Sequence, residues 1–298
     1  MGRELFQDFP SARAVLDEAD EALGFELSAI LANGPDEVLR QTEHTQPAIL
    51  TVSVAAWRVL AERGLQPALA AGHSLGEYSA HVAAGTLSFA DAVRTVRNRG
   101  RYMQEAVPQG EGAMAAVLGL SAAQVDAACV MAAEELREVV SAANINSPEQ
   151  IVISGTKAAV ERACALAKDA GARKTVPLPV SAPFHCALMQ PAQDRLESDL
   201  AQLQFRDPEI PVICNVDARA VTKGDDARDA LVRQVTGAVR WVECIHRLRE
   251  AGATHFVEVG PGRVLTGLQK GIDRALLAQS MNVEDSASLE KTLAALRA

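Results

Sequence analysis

The stretch Ala70-Ala-Gly-His-Ser-Leu-Gly-Glu-Tyr-Ser-Ala-His-Val-Ala-Ala-Gly85 decides how the rest of the chain is read. A short apolar run, Ala68 to Ala71, stops at Gly72, and the pattern resumes at helical spacing from Glu77 to Ala84 until Gly85 can cap it. Strand, sharp turn and helix in that order are the context a nucleophile elbow requires. Gly72 and Gly76 remove side chains that would collide where strand and helix approach, so Ser74 projects from the strand end with a helix N-terminus behind it. Free N–H groups at that terminus favour developing negative charge. Gly-x-Ser-x-Gly alone also describes a polar turn before a helix; here both flanks match the chemical reading.

Upstream of the elbow the chain opens directly on helical pattern. Ala12, Val15, Leu16, Ala19 and Leu23 recur at spacings of three and four and end at Gly24, with no strand before them. A second helix is expected to start near Gln46-Pro47, where proline suits a first turn, and to run to Gly64. Downstream, Ser88 with Asp91 three residues on signals a capped helix running to about Met103. At 100° per residue, Phe89, Ala92, Val96 and Met103 share one face with Arg99, while Arg94, Arg97 and Arg101 fall opposite. A guanidinium on an apolar face cannot shed its charge. It snorkels to the edge, pairs with an internal carboxylate, or meets an anionic ligand, and periodicity does not choose among these.

After Gly110-Glu-Gly112 the pattern changes for about seventy residues. Ala113 to Leu118 reads as strand, Ser121 to Leu136 as helix, and Val139 to Asn146 and Ile151 to Ser154 as strands around a Ser147-Pro148 turn. A helix capped by Thr156 and ending at Gly171 leads into a strand at Lys174 to Leu178. That order, βαββαβ, is the split-βαβ sandwich. The division expected is a discontinuous large domain, residues 1–110 and 182–298, with a small ferredoxin-like domain at 111–181 inserted into it.

Leu178-Pro-Val-Ser-Ala-Pro-Phe-His-Cys then delivers His185 on a proline-punctuated loop before another helix, Ala187 to Leu203. Strands at Ile210 to Val216 and His255 to Val259 alternate with helices at Asp226 to Val235 and Trp241 to Ala251. Gly260-Pro-Gly262 turns into a last helical stretch. Strands alternating with helices on both sides of the insertion imply an α/β fold with a mostly parallel, covered sheet and an α/β-hydrolase-like core.

The 298 residues are 48% hydrophobic and only 4% aromatic, which favours close-packed helices on a sheet over a β-sandwich. With a net charge of −9 and scattered basic residues, the chain carries no footprint for nucleic acid or an anionic membrane. No apolar run approaches the roughly 20 residues of a membrane span, and the first residues lack a signal-peptide core, so a cytoplasmic protein is expected. Five cysteines, never at Cys-x-x-Cys spacing, argue against a disulfide framework and a zinc site. Of the six histidines, His185 is the candidate general base, because its loop gives it little reason to be core. An imidazole in that role needs an orienting partner on its other nitrogen, and no carboxylate stands out for it.

Taken together these residues resemble the malonyl-CoA:acyl-carrier-protein transacylases of fatty acid synthesis. The likeness runs through Gly-His-Ser-Leu-Gly-Glu-Tyr-Ser-Ala (72–80), Arg-Gly-x-x-Met-Gln (99–104), Asn-x-Asn-Ser-Pro (144–148), His-Cys-Ala-Leu-Met (185–189), Gln234 before Val-x-Trp, and Glu-Val-Gly-Pro-Gly (258–262). It implies Ser74 as the acylated nucleophile, His185 as its base, and the Gln234 backbone carbonyl as the group orienting the imidazole. It also implies that Arg99 binds the malonyl carboxylate, that Gln46 lines the pocket, and that Phe184 marks the malonyl-preferring form of its loop. The Leu75 backbone N–H is expected in the oxyanion hole. Malonyl-CoA and acyl carrier protein are the implied substrate and partner, the chain acting as a monomer with no metal or redox cofactor. A serine thioesterase, or a catalytically impaired carrier-protein-binding paralogue, would draw on the same residues. The family opens with a strand and a Gly-Gln-Gly turn ahead of its first helix. This sequence starts after that point, and a true start upstream of Met1 is the expectation.

Overall fold

The computed structural model describes residues 1–180 and 182–297. The chain begins with α1 (Arg3–Asp8), α2 (Pro10–Leu23), α3 (Leu27–Asn33), α4 (Asp36–Leu39) and α5 (Thr42–Glu62). The apolar stripe of α2 (Ala12, Val15, Leu16, Ala19, Leu23) is wholly buried, and Gly24 ends the helix at φ 70°. Sequence spacing started α5 at Gln46-Pro47, but the helix begins a turn earlier, with His44 and Thr45 N–H both bonded to the Gln41 carbonyl. Pro47 therefore sits inside the helix, where its missing N–H costs one rung of the ladder.

The elbow follows as β1 (Ala70–Ala71) and α6 (Gly76–Ala83), then α7 (Phe89–Glu105), whose Ser88 cap accepts from the Asp91 N–H as the capping signature predicts. The buried faces of α2, α5 and α7, with Leu196 and Leu200 from α10 (Gln190–Leu200), make the largest core around Leu16, Leu50, Leu60, Val93, Val96 and Met103.

The βαββαβ pattern is realised as β2 (Gly112–Leu118), α8 (Ala122–Leu136), β3 (Val140–Ser147), β4 (Gln150–Thr156), α9 (Lys157–Asp169) and β5 (Lys174–Pro177). Its sheet has the order β3-β4-β2-β5 with every pairing antiparallel. One face carries a core of its own, Val117, Val125, Cys129, Ile151, Ile153 and Ala163, shut by α8 and α9. The sheet joins the rest of the molecule where Ile145 and Val239 exchange backbone contact, the Ile145 N–H reaching the Val239 carbonyl at 2.9 Å.

The chain closes through β6 (Val212–Ile213), β7 (Ala220–Val221), α11 (Gly224–Arg233), α12 (Trp241–Glu250), β8 (Phe256–Val259), α13 (Val264–Ile272), β9 (Ser280–Val283) and α14 (Ser286–Arg297). β1 pairs with β6 in parallel and β8 with β9 in parallel, while β6 and β7 are antiparallel. The strands of this part thus form two short sheets, and β1 and β8, each an edge, border one apolar cavity of about 440 Å³ beside Leu69, Trp241 and Val257. The pattern gave no hint of β9 or α14. Among the described residues no helix is long and apolar enough to cross a membrane.

Candidate active site

Ser74 sits just past the end of β1 with φ 50°, a left-handed conformation a serine holds at a cost of order 1–3 kcal/mol. The turn is so tight that a Cβ on Gly72 would lie 1.9 Å from the Gly76 carbonyl, so glycine is the residue that lets it close. Asn215, just beyond β6, staples the elbow from outside: its Oδ1 accepts from the Ser74 N–H at 2.7 Å and its Nδ2 donates to the Gly72 carbonyl at 2.7 Å. The Leu75 N–H, at the start of α6, has no hydrogen-bond partner among the described residues and opens the helix beside the serine.

His185 arrives on the loop after β5, of which Ser181 lies outside the described residues. It too is left-handed, at φ 60°, and is buried. The loop packs tightly on β2, since a Cβ on Gly112 would meet the Pro183 ring at 2.4 Å. His185 Nε2 lies 2.7 Å from Ser74 Oγ, and Nδ1 lies 2.9 Å from the Gln234 carbonyl and 3.1 Å from that of Gly237. Two carbonyls at Nδ1 place the hydrogen there, leaving the Nε2 lone pair to accept from the serine hydroxyl. Burial first, and then the Arg99 charge, push the imidazole down to about 3, so it is neutral and proton-accepting at pH 7.

On the other side of the serine, Arg99 of α7 is buried at 2% exposure. Its Nη1 donates to Gln46 Oε1 of α5 at 2.7 Å, and its Nη2 to Gln234 Oε1 at 3.0 Å and Ser74 Oγ at 3.1 Å. No carboxylate pairs with it and its Nε has no partner, both among the described residues. Burial pulls its pKa down, opposed by Tyr78 and Glu77, but a guanidinium stays charged. The apolar-face arginine thus takes none of the internal solutions that periodicity left open, and Arg94 and Arg101 are exposed opposite, with Arg97 half-buried.

Of the sequence-predicted positions, His185 and Arg99 reach the Ser74 hydroxyl directly, Gln46 and Gln234 hold Arg99, the Gln234 carbonyl holds His185, and Leu75 follows the serine in the chain. Sequence reasoning missed three neighbours. Asn215 and Glu77 are both fully buried, and Asn146 Oδ1 lies 2.8 Å from His73 Nε2 at the rim. A glutamate on the buried face of α6, three residues after the serine and four before the buried His81, was the available signal for Glu77.

What such a site belongs to is shown by comparison with known proteins. Residues 1–293 match the model of the acyl transferase domain, and the chain belongs to that family. It is 51% identical over 280 residues to the malonyl CoA-acyl carrier protein transacylase of Escherichia coli K12, covering 94% of this chain and 90% of that one. A crystal structure of an acyl carrier protein S-malonyltransferase from Vibrio cholerae superposes with a TM-score of 0.95 at 49% identity, over 98% of this chain and 94% of that one. A malonyl-transacylase solved in complex with a type II polyketide acyl-carrier protein matches with a TM-score of 0.95 at 47% identity, over 99% and 94% of the two chains. The fold is therefore the two-domain α/β fold of the acyl-carrier-protein malonyltransferases.

Proposed function

We propose that this chain transfers the malonyl group of malonyl-CoA to the phosphopantetheine thiol of an acyl carrier protein, through a malonyl ester on Ser74, and so supplies fatty acid synthesis in the cytoplasm. The observation that carries this reading is the buried Arg99 guanidinium, lacking an ion pair among the described residues and 3.1 Å from Ser74 Oγ. A neutral acyl group would leave that charge unanswered; a malonyl carboxylate supplies the anion and pairs with it in the strong, charge-assisted form.

The steps balance with the chain's own groups. His185 Nε2 takes the hydroxyl proton as Ser74 Oγ attacks the thioester carbon, and the oxyanion forms beside the Leu75 N–H at the mouth of α6. Collapse breaks the C–S bond, and the coenzyme A thiolate leaves with the proton from His185. The carrier's thiol then gives its proton to His185, its thiolate attacks the ester, and Ser74 leaves with that proton. Every transfer is a proton or acyl transfer, so the reading calls on no redox cofactor or metal. Residues 111–181 form the small domain in this reading, set into a large domain of 1–110 and 182–298 that carries Ser74, Arg99 and Gln234.

Intact-mass measurement after mixing with malonyl-CoA tests the proposal. A malonyl adduct that disappears on adding holo-carrier protein, with malonyl-carrier as product, is the expected outcome. Release of free malonate instead would make the protein a hydrolase, and absence of any adduct would leave only a carrier-binding module.

A further inference from the structure

We infer that Glu77 is the positioning residue that sets the choice of acyl group, by holding the Gln234 side-chain amide in the orientation that turns its carbonyl toward Arg99. This rests on the malonyl-transfer reading above and adds to it a residue that touches neither the serine hydroxyl nor the guanidinium.

Glu77 lies in the first turn of α6 and is fully buried. Its Oε2 accepts from the Gln234 Nε2 at 2.7 Å and from the Asn215 N–H at 2.9 Å. Gln234 Nε2 also reaches the Ser74 carbonyl at 3.0 Å, so both its hydrogens are directed away from Arg99 and Oε1 is left to accept from Nη2. Turning that amide over would press Oε1 against the carboxylate and the Ser74 carbonyl and point an NH₂ at the guanidinium. An ionised carboxylate has no hydrogen to donate, so it adds its own bar to the flip beside that of the Ser74 carbonyl. A neutral group of the same shape, carrying a donor, would weaken that bar and loosen the amide's orientation.

The arrangement is costly, which is why a packing role explains it poorly. Glu77 Oε1 has no hydrogen-bond partner among the described residues and faces His81 Nε2, also unpartnered, at 3.9 Å. Burial pushes the Glu77 carboxyl up to about 7, against the pull of the Asn215 N–H, the Gln234 amide and Arg99. The charged or titratable groups facing it are Arg99 from α7, Tyr78 and His81 from α6, Cys214 and Asp217 around the turn after β6, and Cys244 from α12. His81 is held down at about 4, Asp217 lies below the usual carboxylate range, and burial raises Tyr78, Cys214 and Cys244. Glu77 is thus the member of this set that changes charge near neutrality.

The test is the ratio of kcat/KM for malonyl-CoA to that for acetyl-CoA, because a change in the serine's reactivity cancels in it. In the unaltered protein the ratio should be highest above pH 7 and fall as the pH drops through about 7, where Glu77 gains a proton and with it a donor. A malonyl carboxylate titrates near 4 and stays ionised throughout. Glu77→Gln should lower the ratio about tenfold, as expected for disturbing a hydrogen bond to a charged group, and remove its pH dependence. In an Arg99→Ala background the same substitution should leave the ratio where it was, since nothing remains to be oriented. A ratio that is flat with pH in the unaltered protein, or Glu77→Gln slowing both substrates equally, overturns the inference; the first reading stands even if the variant fails to fold. Failure of either thioester to acylate Ser74 would overturn the malonyl-transfer reading, and this inference with it.

Discussion

The two sides of Ser74 solve the same problem with different atoms. On one side His185 is oriented by the main-chain carbonyls of Gln234 and Gly237, and on the other Arg99 is held by the side-chain carbonyls of Gln46 and Gln234. Among the described residues neither the imidazole nor the guanidinium is hydrogen-bonded to a carboxylate. Neutral oxygens fix direction without satisfying charge, so burial and the Arg99 charge keep the imidazole neutral, and the guanidinium has no ion pair among the described residues. On the proposed reading the first side acts on any thioester, whereas the second acts only on an acyl group that ends in a charge. Gln234 belongs to both, through its backbone on the reaction side and its amide on the recognition side. The comparison therefore predicts that substitutions separate cleanly into those that stop chemistry and those that change choice.

The largest effect belongs to the reaction side. Ser74→Ala should abolish the covalent adduct with malonyl-CoA and acetyl-CoA alike, read by intact mass, and an adduct surviving in the variant would remove Ser74 from its role. His185→Ala should slow both acylation and transfer to the carrier by ~10²–10⁴, because one imidazole serves each half-reaction. If one half-reaction kept its rate, a second base would have to exist. The acid limb sharpens the point. His185 is depressed to about 3 from 6.5, so it accepts protons down to well below neutrality. Acetyl transfer, whose acyl group offers no carboxylate to Arg99, should keep its rate from about pH 8 down to about pH 5. The same depression has a stability sign: the folded state binds fewer protons than the unfolded one below 6.5, so this contribution is present above 6.5 and is lost as the pH falls toward 3.

The legibility of the two sides in the sequence differs for a physical reason. The elbow, the Arg99 stripe of α7 and the βαββαβ unit are written in residues near one another, where glycine placement, 100° steps and capping pairs carry the signal. The polar staples are not local. Asn215 meets Ser74 across 141 residues of chain, and Gln234 meets Glu77 across 157, and no periodicity records such pairs. The Gln234 carbonyl as partner of His185 came from family resemblance, since any backbone carbonyl looks alike in a sequence. The two-residue strands β1 and β6 are pinned by their parallel pairing rather than by length, so pattern overstated them, and β9 and α14 carry too weak a pattern to be seen.

On the recognition side the effects are smaller and selective. Arg99→Ala should swap preference rather than destroy activity, lowering the malonyl-to-acetyl ratio of kcat/KM at least about tenfold, the worth of hydrogen bonds to a charged group. Equal loss toward both thioesters would make Arg99 a structural cation and erase the division drawn above.

The smallest and most discriminating change is Gln46→Ala. Gln46, on α5, touches Arg99 at Nη1 alone and makes no hydrogen bond to His185 or to the elbow among the described residues. Its oxygen can act in two opposite ways. As an orienting partner it keeps the guanidinium plane aimed at the acyl pocket, and its loss should cut the malonyl-to-acetyl ratio by about threefold to tenfold, the net worth of one buried hydrogen bond. As a competitor it occupies a donor the malonyl carboxylate needs, and its loss should raise the ratio. The geometry favours orientation, because Nε has no partner among the described residues and Nη2 already faces the serine, leaving donors for the carboxylate without disturbing Nη1. The acetyl rate should be nearly unmoved in either case, which separates both outcomes from a packing defect in α5. A fall in acetyl transfer as large as that in malonyl transfer would show that the two sides of the serine are one mechanical unit after all.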